Sequence, residues 1–117
     1  MKTHIMKLNP APFDMISSGI KTIELRLFDE KRREIEAGDT ITFVNTEDAE
    51  KKISARVKAL HMFESFTELY ENLPLLECGY TEADVDTASP DDMDAYYSKE
   101  KQQLYGVVGI EIEVIGK

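Results

Sequence analysis

The sequence predicts an α+β fold that is mostly β, a small and mostly antiparallel barrel with short helices in the gaps. Three observations carry this. Apolar and polar residues alternate over 52–60 and 107–115, the period-two signature of half-buried strands. Proline and glycine bound only short helical stretches, with Asn9-Pro10 before Gly19, then Pro74, then Ser89-Pro90 before Gly106. The resulting order, β-α-β-β-β-helices-β, supplies five strands, too few for a plain sandwich. Five strands can curl into a barrel whose first and last members are free to pair.

Each element has its own reason. Residues 4–8 form a short apolar-rich first strand. Asn9 is a good N-cap and Pro10 suits the first helical position, where its missing N–H is not needed. Phe13, Ile16 and Ile20 repeat at helical spacing and Gly19 is the expected left-handed stop. Residues 21–27 read as a strand with Ile23, Leu25 and Leu27 on one face and Thr22, Glu24 and Arg26 on the other. A charged connection over 28–35 leads to a tight turn at Gly38-Asp39. Strands follow at 40–45 and 52–60, joined by a polar hairpin loop. Ser65-Phe66-Thr67-Glu68 has the form of a capping box, with Leu69, Tyr70 and Leu73 on one helical face. Thr81 can open a second short helix, and Ser89-Pro90-Asp91-Asp92 starts another whose apolar face is Met93, Tyr96, Tyr97 and Leu104. Residues 107–115 close the chain, with Val108, Ile110, Ile112 and Val114 inward and Glu111 and Glu113 outward.

Composition excludes several classes. At 117 residues and 32% charged, residues 1–117 read as one globular domain. No apolar run approaches the roughly 20 residues of a membrane span, and the opening Met1-Lys2-Thr3-His4 has no signal-peptide character. A single cysteine, Cys78, fits a reducing cytoplasm. With two histidines far apart, no metal site and no cofactor are expected. The net charge of −9 argues against non-specific binding to nucleic acid, and nothing signals DNA in particular. The charge is uneven, however. Residues 21–33 hold five cations against three acids, whereas 64–100 hold eleven acids against Lys99 alone. A polyanion would have to approach from the side of residues 21–33. On charge alone, solvated surface is the better account of both clusters.

The chemistry concentrates in Gly19-Ile20-Lys21-Thr22-Ile23-Glu24-Leu25-Arg26. Glu24 and Arg26 lie two apart on one polar strand face, with Lys21 at its mouth, an arrangement that a strand packed on a core does not need. Lys21 can contact a phosphate or carbonyl, or act as a base if burial lowers its pKa. Glu24 can accept from a base N–H while Arg26 offers a fork of donors. Alternatively the two form a strand-fixing ion pair of little worth if exposed. Arg32 and Arg33 either track a nucleic-acid backbone or sit in a solvated turn. Tyr96, Tyr97 and Tyr105 can stack on a base or fill the core. Cys78 with His61 could act as a nucleophile–base pair only if something positioned the histidine.

The motif Gly19-x-Lys21-x-x-Glu24-x-Arg26 after a short helix resembles the signature of the ASCH family, small domains related to the PUA fold. Gly38-Asp39 before a strand and Tyr105-Gly106-Val107-Val108-Gly109-Ile110 as a closing strand resemble it too, so the likeness spans residues 5–115. The resemblance implies a PUA-like β-barrel of five to six strands flanked by short helices, and a cleft floored by Lys21, Glu24 and Arg26. It implies single-stranded RNA or a modified nucleoside as partner, and it leaves the oligomeric state open. Some small bacterial members are similar to amidohydrolases that deacetylate N4-acetylcytidine with the motif lysine, a threonine three residues on and a downstream glutamate. Here Glu24 stands at the threonine position and Thr22 is adjacent to the lysine. A hydrolase would then rely on Lys21 and Glu24, with Glu77 in the region of the downstream acid. A third expectation is a partner-binding domain that uses the acidic region 64–100.

Overall fold

The computed structural model describes residues 1–116. Its elements are β1 Thr3–Leu8, α1 Pro10–Ser17, β2 Ile23–Leu27, α2 Glu30–Arg33, β3 Thr40–Asn45, β4 Lys52–Phe63, α3 Phe66–Asn72, α4 Lys99–Tyr105 and β5 Val107–Gly116. Three short 3-10 helices, Leu75–Glu77, Val85–Thr87 and Pro90–Ala95, fill the span between α3 and α4. The strands form one curled sheet in the order β1-β3-β4-β5-β2. The first and last strands, which the sequence leaves free to pair, are not neighbours. β1 runs parallel to β3, and β5 lies antiparallel between β4 and β2. The result is a half-barrel with β1 and β2 as its two free edges.

Period-two patterning puts each face of the sheet on a core of its own. Met6, Leu8, Ile41, Phe43, Ile53, Ala55, Val57, Val108, Ile110 and Ile112 meet Phe13 and Ile16 of α1. On the opposite face Ile23, Leu25, Leu27 and Val107 meet Phe66, Leu69, Cys78 and Met93 from the helical layer. Register shifts in β4 next to Ala55 and Ala59 curl the strand and let it run on to Phe63. β2 is therefore covered on both faces, and Glu24 is buried with its apolar neighbours.

The helix signals work locally. Past α1, Gly19 takes φ +82°, its N–H bonds Ile16 O and the Ile20 N–H bonds Met15 O, the paired bonds of a left-handed helix stop. Ile20 falls beyond that stop and points outward. Asn9 lies at the N-cap position but its side chain accepts from the Thr46 hydroxyl instead, tying α1 to the end of β3. The single helix expected over 90–105 is two. Ser98 is extended and accepts from the Lys101 N–H, capping α4 afresh, so Met93 and Tyr97 turn to the core while Tyr96 and Leu104 face outward. Gly38-Asp39 is more than a turn. Asp39 is buried and accepts from the backbone of Lys2 and Glu36 and from His4 Nε2.

Candidate functional site

Two interactions place Lys21 and Thr22 just ahead of β2. The Lys21 N–H reaches Met15 O at the end of α1, and the Thr22 N–H reaches Glu77 O in the loop opposite. Gly79 in that loop has φ +113°, where only glycine is unstrained, and its backbone lies along the Lys21 stem. Lys21 Nζ is thereby held 2.7 Å from Glu24 Oε1. From the other side Arg26 places Nε and Nη2 each 2.8 Å from Glu24 Oε2. The three side chains retain 10%, 5% and 13% of their exposure for Lys21, Glu24 and Arg26. The expected cation–anion–cation trio is thus assembled, and on the inside of the fold.

Its electrostatics follow from that placement. Burial pushes the Glu24 carboxyl up, but the charges of Lys21 and then Arg26, with their hydrogen bonds, outweigh it and hold the group below its ordinary value. For Arg26, burial works against the charge while Glu24 more than restores it. Glu24 stays ionised, and one anion is left facing two cations.

The trio borders a cavity of about 500 Å³ at the seam of the half-barrel, within the roughly 300–1,000 Å³ of small-molecule sites. One wall is the end of β1 and the start of α1, including Lys7, Asn9 and Pro12. The opposite wall is aromatic and comes from the helical layer: Tyr70, Tyr80, Tyr96 and Tyr97, with Cys78, Met93, Asp84 and Asp92. Arg26 crosses between the strand edges, its Nη2 donating to Lys7 O at 3.0 Å. Tyr70 and Tyr80 are joined by a 2.7 Å hydroxyl contact, and Tyr80 donates to Asp92 Oδ2 at 2.7 Å. Burial foremost, then the bonds to Tyr70 and Asp92, raises the Tyr80 phenol, and the Tyr80 bond lowers Asp92. Since Tyr80 donates to Asp92, Tyr70 must be the donor to Tyr80. Both rings are locked and keep their hydroxyl protons for each other and for Asp92. Burial likewise pushes the Cys78 thiol up, to about 12, which favours the neutral thiol over the nucleophilic thiolate.

Not every expected site residue is here. Glu77 is exposed and its carboxylate accepts from the Thr22 hydroxyl at 2.9 Å, outside the cavity lining. Arg32 pairs with Asp29 at 2.9 Å, and Arg33 donates to Tyr105 O while lying over the Phe28 ring. Neither lines the cavity. His61 is bonded to Glu111 on the sheet and has no part in the Cys78 environment that lines the cavity. Of the tyrosines considered for stacking, Tyr96 and Tyr97 line the cavity and Tyr105 does not. Tyr70 and Asp92 read in the sequence as helix-face and helix-start residues rather than as site residues, and Tyr80 carries no reading. Tyr70 has helical core spacing and Tyr80 lies in a loop without a pattern, so only the order Gly79-Tyr80 beside a lone cysteine could have drawn the eye.

An α+β half-barrel of PUA-like type, with a polar trio at its seam, defines the class. The chain belongs to the ASCH family, whose domain model matches residues 6–116. It is similar to the hypothetical protein PH0355, known from a crystal structure, at 32% identity over 98% of this chain and 100% of that one, with a TM-score of 0.79. It is also similar to protein PF0455 from Pyrococcus furiosus, known from a solution NMR structure, at 34% identity over 97% of both chains and a TM-score of 0.74. An ASCH protein from Zymomonas mobilis shares the fold at 17% identity, with a TM-score of 0.64, over 95% of this chain and 66% of that one. No curated protein matches this chain significantly. Among the described residues, no helix is long and apolar enough to cross a membrane.

Proposed function

We propose that the seam cavity binds a nucleobase, presented by single-stranded RNA or as a modified nucleoside, with Lys21, Glu24 and Arg26 reading its polar groups. The observation that carries this reading is a buried cation–anion–cation trio lining the same cavity of about 500 Å³ as four tyrosines. Tyrosine rings offer stacking surfaces, and bases splayed out of single strands are recognised by stacking plus edge hydrogen bonds. Membership of the ASCH family supports RNA as the partner at the family level.

Charge bears on what enters. Lys7, Lys21 and Arg26 around the cavity balance Glu24, Asp84 and Asp92. A balanced lining favours a neutral heterocycle inside, with any phosphates left at the mouth. Arg32 and Arg33, engaged with Asp29, Phe28 and Tyr105, act on stability in this reading rather than on binding. Titrating short single-stranded RNAs and nucleosides against the wild type and Glu24→Ala tests the proposal. Tighter binding by the wild type is expected; equal affinities would refute it.

A second reading is favoured by one contact, the 2.7 Å approach of Lys21 Nζ to Glu24 Oε1. A lysine and an ionised carboxylate so placed can polarise an amide carbonyl and orient a water. On N4-acetylcytidine or a related acylated nucleoside, water would add to the acetyl carbon through Glu24. The C–N bond would break, acetate would leave, and the amine would take the proton. Glu77, outside the cavity, has no part in this version. Incubation with N4-acetylcytidine decides it: release of cytidine and acetate that is lost in Lys21→Ala supports hydrolysis, and no turnover at high enzyme concentration refutes it.

A further inference from the structure

β2 is a free edge, and the free edge lies in the cavity. Its ladder to β5 is antiparallel and unbroken, with Glu24 opposite Ile110 and Arg26 opposite Val108. Bonds at its two ends set the parity. The Ile112 N–H donates to Thr22 O, and the Phe28 N–H donates to Gly106 O. In an antiparallel pair only alternate residues turn their backbone groups to the partner strand. Residues 22, 24, 26 and 28 therefore face β5, and the N–H and C=O of Leu25 point the other way, where no strand lies. No hydrogen bond to either group is present among the described residues.

Leu25 is nonetheless a buried residue that lines the cavity. The cavity reaches this edge: Leu25, the Lys21–Glu24–Arg26 trio and the tyrosines all line it, and Tyr70 and Tyr97 pack on the Leu25 face of β2. Across the seam, β1 has a comparable free edge, but its Lys7 carbonyl is already taken by Arg26 Nη2. Of residues 23, 25 and 27, which turn away from β5, Leu25 lines the cavity, so its donor and acceptor stand side by side in a space with aromatic rings on one wall. An unpaired backbone group removed from water costs free energy until a partner arrives.

We propose that the backbone N–H and C=O of Leu25 form the base-reading element of the site, pairing with a neighbouring acceptor and donor on the edge of a nucleobase. This rests on the reading of the cavity as a nucleobase site and specifies how the base is held. Adjacent acceptor and donor groups are what the pairing edge of every nucleobase carries, for example O4 and N3–H of uracil or N1 and N6–H of adenine. A base that meets Leu25 in this way lies in line with the strand edge, so one of its faces turns toward the tyrosine wall and the other toward the end of β1 and the start of α1. Glu24, Lys21 and Arg26 then meet the remaining polar groups of the base. Because the reading groups are main chain, the contact discriminates a free edge from a blocked edge more than one base from another.

The test uses the intact protein and defined ligands. Affinities are measured by calorimetry for the four ribonucleosides and for the edge-blocked partner of each: N3-methyluridine, N4,N4-dimethylcytidine, N6,N6-dimethyladenosine and N1-methylguanosine. For each nucleoside that binds, blocking the edge should weaken binding about tenfold to a hundredfold, the size of one good paired contact. 5-Methyluridine, which adds the same bulk away from the edge, should bind as uridine does. Amide exchange followed by NMR gives a readout independent of ligand bulk. Bound nucleoside should slow exchange at Leu25 and leave Glu24, whose N–H already faces β5, unchanged. Nucleosides that bind while the blocked forms bind equally well, or while Leu25 exchange stays the same, would overturn this inference and leave the nucleobase site standing. No binding of any nucleoside would overturn the site itself and this inference with it.

Discussion

Glu24→Ala is the sharpest probe of the trio, because it removes the anion and leaves two cations facing each other inside the fold. Each contact, at 2.7 Å to Lys21 and 2.8 Å to Arg26, has a gross attraction of about 6 kcal/mol at an effective dielectric of 20. Desolvation of the three charges offsets most of that, and the net cost of deleting one member of a buried ion pair is about 3–5 kcal/mol. For a domain of this size that is a drop in melting temperature of about 12–20 °C. Thermal unfolding by circular dichroism measures it. The sign of the pH dependence is also set. Glu24 has a lowered folded-state pKa, so its contribution is present above the ordinary carboxylate value of about 4.3 and fades as pH falls through the lowered one. The stability gap between wild type and variant should therefore narrow on acidification. A loss below about 1 kcal/mol, the size of an exposed pair, or a gap that widens in acid would refute the argument that the trio is buried and mutually dependent.

Other perturbations separate the parts. Gly79→Ala should cost about 1–3 kcal/mol, all of it from the backbone at φ +113°, since a Cβ there meets Lys21 only at ordinary contact distance; a denaturant melt checks it. Arg32→Ala should lower stability by no more than about 0.5 kcal/mol and leave nucleoside affinity unchanged, as measured by calorimetry. Cys78, with its thiol pushed up to about 12, should react with a disulfide reagent near neutral pH about a thousandfold more slowly than the unfolded chain, followed by absorbance. Asp39→Ala should lower the melting temperature more than Glu113→Ala, because Asp39 holds His4 and the backbone of Lys2 and Glu36. Its lowered pKa means that this difference, too, fades in acid.

Much of the fold was legible because its strands and caps are local. Alternation over 52–60 and 107–115 placed Ile53, Ala55, Val57, Val108, Ile110 and Ile112 on one buried face, and Gly19 ended α1 where its left-handed φ requires. The trio was legible for the same reason: residues 21, 24 and 26 lie within a few positions of each other. What was hidden depends on contacts between distant segments. Asp39 gathers partners from the N-terminus, which nothing in Gly38-Asp39 announces. The tyrosine wall is drawn from α3, the Gly79 loop and the turn before α4, three segments without a shared pattern. The break at Ser98 was hidden by a helical spacing that continues across it; a capping serine overrides apolar periodicity when it is already extended. The excess of cations over 21–33 misled as a surface, because each of Lys21, Arg26 and Arg32 has an acid within 3 Å.

An open half-barrel poses a problem that bears directly on the site. Two free strand edges lying near one another are exposed to unwanted pairing, and here the gap between them is too wide for a ladder and wide enough for a cavity. Arg26 answers both demands with one side chain. Its Nη2 holds Lys7 of β1, while Nε and Nη2 hold Glu24 of the same strand. The seam is closed by a side chain rather than by backbone pairing, and that leaves the Leu25 groups free. Arg26→Lys tests the dependence, since a lysine keeps the charge but cannot bond Glu24 and Lys7 in the same forked geometry. It should lose about 1–2 kcal/mol of stability and speed amide exchange along β1. If β1 exchanged no faster in the variant, the seam would be held by something other than Arg26, and the account of why the β2 edge stays open would fail.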